Sequence, residues 1–242
     1  MGQELNKIWL TKTPPKIVYE DDDIVIVNKP WGLISHPKNK EDKSYSVTQW
    51  FAEKYPDSKE VGDDSIRPGM MHRLDRETSG LLILAKNKNS FSFMKKQFQE
   101  RIIEKSYLAL VKGCPQSKEG TIDSAIGRVG IKRTTREKDG HLNDRKEALT
   151  HYKVLRKFQE YSLLEVSPKT GRTHQIRVHL KSIGFPVLGD KLYNPKESEA
   201  PKDLTRLFLH AFRLKFVSPS GKALTIEADL PEDLQNVINK LE

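Results

Sequence analysis

Two polar runs in this chain carry side chains suited to acid–base or nucleophilic chemistry, and each stands directly against an apolar run. In Met71-His72-Arg73-Leu74-Asp75-Arg76-Glu77-Thr78-Ser79-Gly80 the charges lead straight into Leu81-Leu82-Ile83-Leu84-Ala85. Consecutive apolar residues of that length match a short strand buried on both faces. Gly80 permits a turn or a close backbone approach at its start, so Asp75 is predicted at the lip of a core. Taken alone, the run serves equally well as a turn in which Asp75, Thr78 and Ser79 satisfy backbone donors. The second run is Thr170-Gly171-Arg172-Thr173-His174-Gln175-Ile176-Arg177-Val178-His179-Leu180. It is predicted to turn into a helix at Thr173 that ends at Gly184, with Ile176, Leu180 and Ile183 on one face. Arg172, His174 and Arg177 gather near its start, where free backbone N–H groups and the helix dipole already favour anions. Guanidinium groups added there make a carboxylate or phosphate site.

Other chemistries lack their residues. His174 and His179 are five apart, whereas two ligands on one helical face need a spacing of about four. No HExxH, paired-cysteine or acidic-loop spacing occurs, and no metal site is expected. The phosphate-cradling patterns GxxxxGK[ST] and GxGxxG and the hydrolase elbow GxSxG are missing as well. What remains is an aspartate, several arginines, a tyrosine and a basic surface, a set suited to holding a polyanion and using one carboxylate on it. Lys and Arg number 42 against 33 Asp and Glu, a formal net charge of +9. That balance points to an anionic partner, nucleic acid foremost, although a lysine-rich solubilising surface would give the same figure.

The 242 residues, 36% of them hydrophobic, suffice for one large mixed domain or two small ones. The lone Cys114 cannot form an internal disulfide or build a thiolate metal site. The longest apolar runs are strand-sized, far below the roughly 20 residues of a spanning helix, and Met1-Gly2-Gln3-Glu4-Leu5 lacks the apolar region of a signal peptide. A cytoplasmic protein with no membrane span is expected.

The elements that must position these residues follow from period and punctuation. Residues 1–16, ending near Pro14-Pro15, are predicted to be an arm, with the fold starting at Ile17. Ile17-Val18-Tyr19 and Ile24-Val25-Ile26-Val27 read as strands joined by an acidic hairpin loop. Asn28-Lys29-Pro30-Trp31-Gly32 then breaks the sheet and offers Lys29 and Trp31 for nucleic acid, or Trp31 as a lid over the core. Ser46 to Tyr55 suits a short helix, and residues 56–68 a polar loop. Ser90 can cap a helix whose stripe is Phe91, Met94, Phe98 and Ile102. Tyr107 to Val111 is a strand. Residues 114–147 show little regular pattern and hold the basic run Lys132 to Arg136, which is either an electrostatic arm for RNA or a solvated hairpin. Strands are predicted at 150–155, 161–166, 207–217 and 224–228, and a closing helix at 231–241 with Leu234, Val237, Ile238 and Leu241 inward.

His72 to Gly80 resembles the HRLDxxTSG signature of the RluA-type RNA pseudouridine synthases. Asn28-Lys29-Pro30-Trp31-Gly32, Arg67-Pro68-Gly69, Lys105-Ser106-Tyr107-Leu108-Ala109, Thr170 to Leu180 and Gly189-Asp190-Lys191-Leu192-Tyr193 resemble the family's other blocks, in the same order. Pro168-Lys169 departs from the more usual strand residues before Thr170. The resemblance implies an α+β fold: a long, bent, mostly antiparallel mixed sheet flanked by helices, with a central cleft. It further implies a single catalytic domain over 17–242, without the S4-type RNA-binding domain often found before the core. The implied reaction isomerises uridine in RNA, cleaving C1'–N1, turning the uracil and joining C1' to C5, and requires no cofactor. Asp75 corresponds to the essential aspartate, Arg177 to the arginine that pairs with it, and Tyr107 to the tyrosine that packs under the uracil and takes the C5 proton. Arg73 corresponds to the arginine that replaces the extruded nucleotide, since a base in a duplex must be flipped out to react. His72, Leu74, Arg172 and Lys29 join it as expected substrate contacts, and His72, with Thr78, Ser79 and Thr173, is also expected to hold the loop. The partner is transfer RNA or large-subunit ribosomal RNA, bound by a monomer. The main alternative is a non-catalytic RNA-binding or ribosome-assembly factor, and beyond it a metal-free hydrolase acting through Asp75.

Overall fold

The computed structural model describes residues 13–130, 132–135, 144–194 and 200–242. Among them the chain order is β1 (Lys16–Glu20), β2 (Ile24–Lys29), α1 (Val47–Lys54), β3 (Ser79–Ala85), α2 (Lys88–Gln99), β4 (Glu104–Lys112), β5 (Glu119–Asp123), β6 (Gly127–Val129), β7 (Lys132–Thr134), β8 (Leu149–Lys157), β9 (Tyr161–Pro168), α3 (Gln175–Ser182), β10 (Leu209–Val217), β11 (Ala223–Glu227) and α4 (Glu232–Asn239). The class is α+β with mostly antiparallel pairing, as the resemblance implied. Two compact units share the chain: Met1–Glu104 with Arg213–Ala228, and Lys105–Phe212 with Asp229–Glu242. No described helix is long and apolar enough to cross a membrane.

In the first unit, β2 pairs antiparallel with β1 on one side and β3 on the other, from Ile24↔Ala85 to Lys29↔Gly80. Neither β2 nor β3 alternates in burial, because Ile24 to Val27 and Leu81 to Ala85 are enclosed on both faces. Met94 of α2 packs with Ile24, Ile26, Leu81, Ile83, Leu214 and Phe216, each such burial stabilising by about 1.5–3 kcal/mol. Two expectations fail around α2. Ser90 is not the cap: Asn87 opens the helix, its side chain accepting from the Ser90 N–H while its own N–H donates to Ser90 Oγ. Ile102 is not in the stripe either, because the helix stops at Gln99 and Arg101, at φ 60°, swings Ile102 outward and Ile103 inward. Residues 56–68 hold a short 3-10 turn, Pro56–Glu60, where only a loop was expected.

In the second unit, β4, β9, β8 and β5 form an antiparallel array; β4 meets β9 from Tyr107↔Val166 to Lys112↔Tyr161, and β8 meets β9 from Thr150↔Pro168 onward. Alternation along β4 sorts its two faces. Ala109 and Val111 join Ile176 and Leu180 of α3, whereas Leu110 joins Leu234, Val237 and Ile238 of α4. The strand β5 had no clear sequence signal, since Gly120 interrupts its pattern. Lys132 to Thr134 forms a two-stranded hairpin with Gly127 to Val129; the last residue of the expected basic run, Arg136, lies outside the described residues.

Gly189 has φ +71°, and a Cβ built on it would sit inside the van der Waals envelope of the Arg206 carbonyl. The backbone here has room only for glycine. Gly189→Ala is expected to lower unfolding free energy by about 2–4 kcal/mol through strain and overlap together, as read from urea denaturation against wild type.

Candidate active-site residues

Asp75 stands on a turn closed by the Thr78 N–H donating to the Asp75 carbonyl, and a second segment clasps that turn residue by residue. Lys29 Nζ donates to the carbonyls of Pro30, Leu33 and Arg76 at 3.0, 2.8 and 3.2 Å. Gly32 N–H donates to the same Arg76 carbonyl at 2.9 Å. Ser35 makes a reciprocal pair with Leu74, its hydroxyl donating to the Leu74 carbonyl at 2.7 Å and accepting the Leu74 N–H at 3.1 Å. Two of the expected substrate contacts are thereby corrected. Lys29 is fully buried and Leu74 nearly so, and a buried ammonium is tolerable only where dipoles such as these carbonyls answer it. Both residues fasten the Asp75 turn from within.

The clasp extends to Arg73. His36, buried between, donates from Nδ1 to the Pro37 carbonyl at 2.6 Å and accepts Arg73 Nη1 at Nε2 at 2.9 Å. A carbonyl can only accept, so Nδ1 carries the proton and Nε2 receives the guanidinium. Burial, followed by the nearby charge of Arg73, holds the His36 pKa below its ordinary value. Arg73 itself is exposed. His72 faces the other way: its Nε2 accepts the N–H of Ile83 in β3 at 2.9 Å, and its ring stacks on Phe98 at 4.5 Å. Asp75, half-buried on a turn secured at Arg73, Leu74 and Arg76, is presented by rigid backbone rather than by a loose loop.

The remaining candidates belong to the second unit. Tyr107 lies on β4 opposite Val166, with its ring packed against the cluster of Ala109, Val111 and Leu164. Two residues earlier, and so on the same strand face, burial depresses the pKa of Lys105. Arg172 reaches Glu147, its Nε donating to the backbone carbonyl at 3.0 Å. Arg177 points inward, and its Nε and Nη2 each donate at 2.7 Å to the carboxylate of Asp190, both side chains being at most 1% exposed. Asp190 Oδ1 also accepts the N–H groups of Leu192 and Tyr193, and the Tyr193 ring lies 5.1 Å from the Arg177 guanidinium. The helix starts later than expected, at Gln175, because His174 takes the left-handed conformation at φ 58°. The guanidinium groups of Arg172 and Arg177 therefore do not converge at its N-terminus.

A buried polar chain holds α3 in place. The Thr170 hydroxyl donates to Gln175 Oε1, Gln175 Nε2 donates to Thr150 Oγ1, and the Thr150 hydroxyl points to His179 Nδ1 at 2.8 Å. His179 Nε2 then donates to the Ser124 carbonyl at 2.9 Å. Every polar atom along this line has its complement. Residue type and spacing alone give no role to Ser35, His36, Thr150, Gln175, Asp190 or Tyr193. Their signal is their place within or beside the polar blocks, not any pattern of their own.

Residues 23–182 match the model of the RNA pseudouridylate synthase family, a span that includes Asp75, Tyr107 and Arg177. An uncharacterized RNA pseudouridine synthase of Aquifex aeolicus is 42% identical over 239 residues, covering 95% of this chain and 73% of that protein. The ribosomal large subunit pseudouridine synthase D of Borreliella burgdorferi is 40% identical over 211 residues, 84% of this chain and 61% of its own length. Among solved structures, the human RNA pseudouridylate synthase domain containing 4 protein superposes with a TM-score of 0.74 at 28% identity, covering 98% of this chain and 95% of that one. The chain belongs to the RNA pseudouridine synthase family, whose members are isomerases.

Both buried imidazoles, His36 and His179, have pKa values lowered chiefly by burial. The unfolded chain therefore takes up these protons first. Their contribution to stability is whole above about pH 6.5 and declines as pH falls below that value. Denaturation followed from about pH 7.5 down to about pH 5 is expected to show this decline, and a shallower one in a His179→Asn variant, whose side chain does not titrate.

Proposed function

We propose that this chain converts uridine to pseudouridine in large-subunit ribosomal RNA, with Asp75 as the reacting carboxylate. The observation that carries this reading is the unbroken family match over 23–182, which takes in the Asp75 turn, the Tyr107 strand and the Arg177 helix together. The choice of ribosomal RNA follows the name of the Borreliella burgdorferi relative. In the reaction, C1'–N1 breaks, the freed uracil turns, C1'–C5 forms, C5 gives up its proton and N1, which carried none while bonded to C1', takes one up. Asp75 either bonds to the sugar or removes one of its protons. Arg177 is assigned to pair with Asp75, a role suited to a guanidinium already oriented by its fork with Asp190. Tyr107 packs under the uracil and receives the C5 proton. Arg73 enters the space vacated by the flipped nucleotide; its exposure, and its tether to His36, support that role.

Tritium release from large-subunit RNA labelled at uridine C5 tests the assignment. Wild type is expected to release tritium, and Asp75→Asn to bind the same RNA with release abolished; release surviving this substitution would sink Asp75 as catalyst, and its absence in wild type, with release from transfer RNA labelled in the same way, would overturn the choice of ribosomal RNA. The hairpin of β6 and β7, with Arg128, Lys132 and Arg133, is proposed to neutralise phosphates. Replacing the three with alanine should flatten the dependence of log affinity on log salt by about one unit for each phosphate left without its cation, measured by filter binding across a salt series.

A further inference from the structure

We infer that Tyr193 is a positioning residue that ties the basic hairpin to Arg177, so that RNA seated on the hairpin is felt at the arginine of the proposed reaction. This deepens the function proposed above and rests on it. The Tyr193 hydroxyl accepts the backbone N–H of Arg133 in β7 at 2.9 Å and lies 2.8 Å from His174 Nδ1. With Arg133 as donor on one side, the hydroxyl spends its remaining contact on His174. One buried hydroxyl thus joins two elements. His174 is the residue from which α3 starts, one turn ahead of Arg177. The ring of the same tyrosine lies 5.1 Å from the Arg177 guanidinium, within cation–π range. Its backbone N–H donates at 3.0 Å to Asp190 Oδ1, the atom that also holds Arg177 Nη2.

A displacement of β7 therefore reaches Arg177 by three routes through one residue: the start of its helix, the face of its guanidinium and the carboxylate that orients it. The base of the hairpin is fixed separately, by Arg145 Nη2 donating to the carbonyls of Ala125 and Thr135. A tyrosine serving packing alone could exchange its hydroxyl for hydrogen without altering how the hairpin and the arginine influence each other.

A double-mutant cycle tests this. Tyr193→Phe removes the hydroxyl and keeps the ring; Arg133→Pro removes the N–H that bonds to it, at a strand position facing away from β6. With C5-tritiated large-subunit RNA as probe, each single variant is expected to lower kcat by about threefold or more, and the double variant to be no worse than either. Multiplicative losses, or changes confined to KM, would overturn the tie. In the free protein, the 15N–1H resonance of Arg177 Nε, assigned by its loss in Arg177→Lys, should shift on Arg133→Pro when Tyr193 is present and stay put in the Tyr193→Phe background. A resonance that ignores Arg133→Pro, or moves equally in both backgrounds, refutes the tie even if no RNA is turned over, and a shift upholds it even if the proposed reaction fails. Should Tyr193→Phe not fold, His174→Gly removes the other partner of the same hydroxyl at a backbone angle glycine accepts, and the Arg177 Nε shift on Arg133→Pro must shrink in that background, because one of the three routes is gone; an undiminished shift refutes the route through the helix start.

Discussion

A guanidinium shut away from water sets the terms for the second unit. Removing two opposite charges from solvent costs several kcal/mol for each ion, and their attraction offsets this only if geometry is close to ideal and the remaining lone pairs are filled. Arg177 and Asp190 meet both conditions through a two-pronged fork and through the N–H groups that Leu192 and Tyr193 add to Asp190. Much of the surrounding backbone is what that fork requires. His174 takes a left-handed angle so that the helix starts where Arg177 faces inward, and Gly189 turns the chain tightly enough to bring Asp190 opposite. The chain of Thr170, Gln175, Thr150 and His179 then prevents α3 from rotating away.

The first unit answers a buried cation differently. Lys29 is given carbonyl oxygens from two separate loops. Carbonyl dipoles bind the ammonium without adding a second net charge, and because they come from the backbone, the lysine sews loops together as it is satisfied. The outcome is a turn whose backbone is fixed at Leu74 and Arg76 while the side chains of Arg73 and Asp75 still reach solvent to different degrees.

What the sequence made legible, and what it hid, divides by the range of the interactions. The apolar runs of β2 and β3 and the 3.6-residue period of α4 are local signals, and burial follows them closely. Lys29 misled because a lysine at a strand end beside proline and glycine has the local character of an exposed loop; its carbonyl partner on Arg76 is 47 residues distant. Separations of 37 and 39 residues likewise concealed the pairing of His36 with Arg73 and of Ser35 with Leu74. At α2 the obstacle was ambiguity: Asn87 and Ser90 are both good caps, and the structure uses both, in reciprocal roles. The turn at Arg101 left no trace, since arginine rarely takes a positive φ. Blocks of residue types were readable, but the partner each side chain chose was not.

The chain enters each compact unit twice, the first being completed only by Arg213–Ala228. That order matters during synthesis. Ribosomes deliver about 5–20 residues per second from the N-terminus, so β2, β3 and α2 emerge early with one side of their core still missing. Ile24, Ile26, Leu81, Ile83 and Met94 wait for Leu214 and Phe216 to cover them, contacts that close loops of well over a hundred residues and form slowly. During that interval the most apolar strands of the protein are exposed on a nascent chain, where strand-to-strand aggregation is the competing outcome.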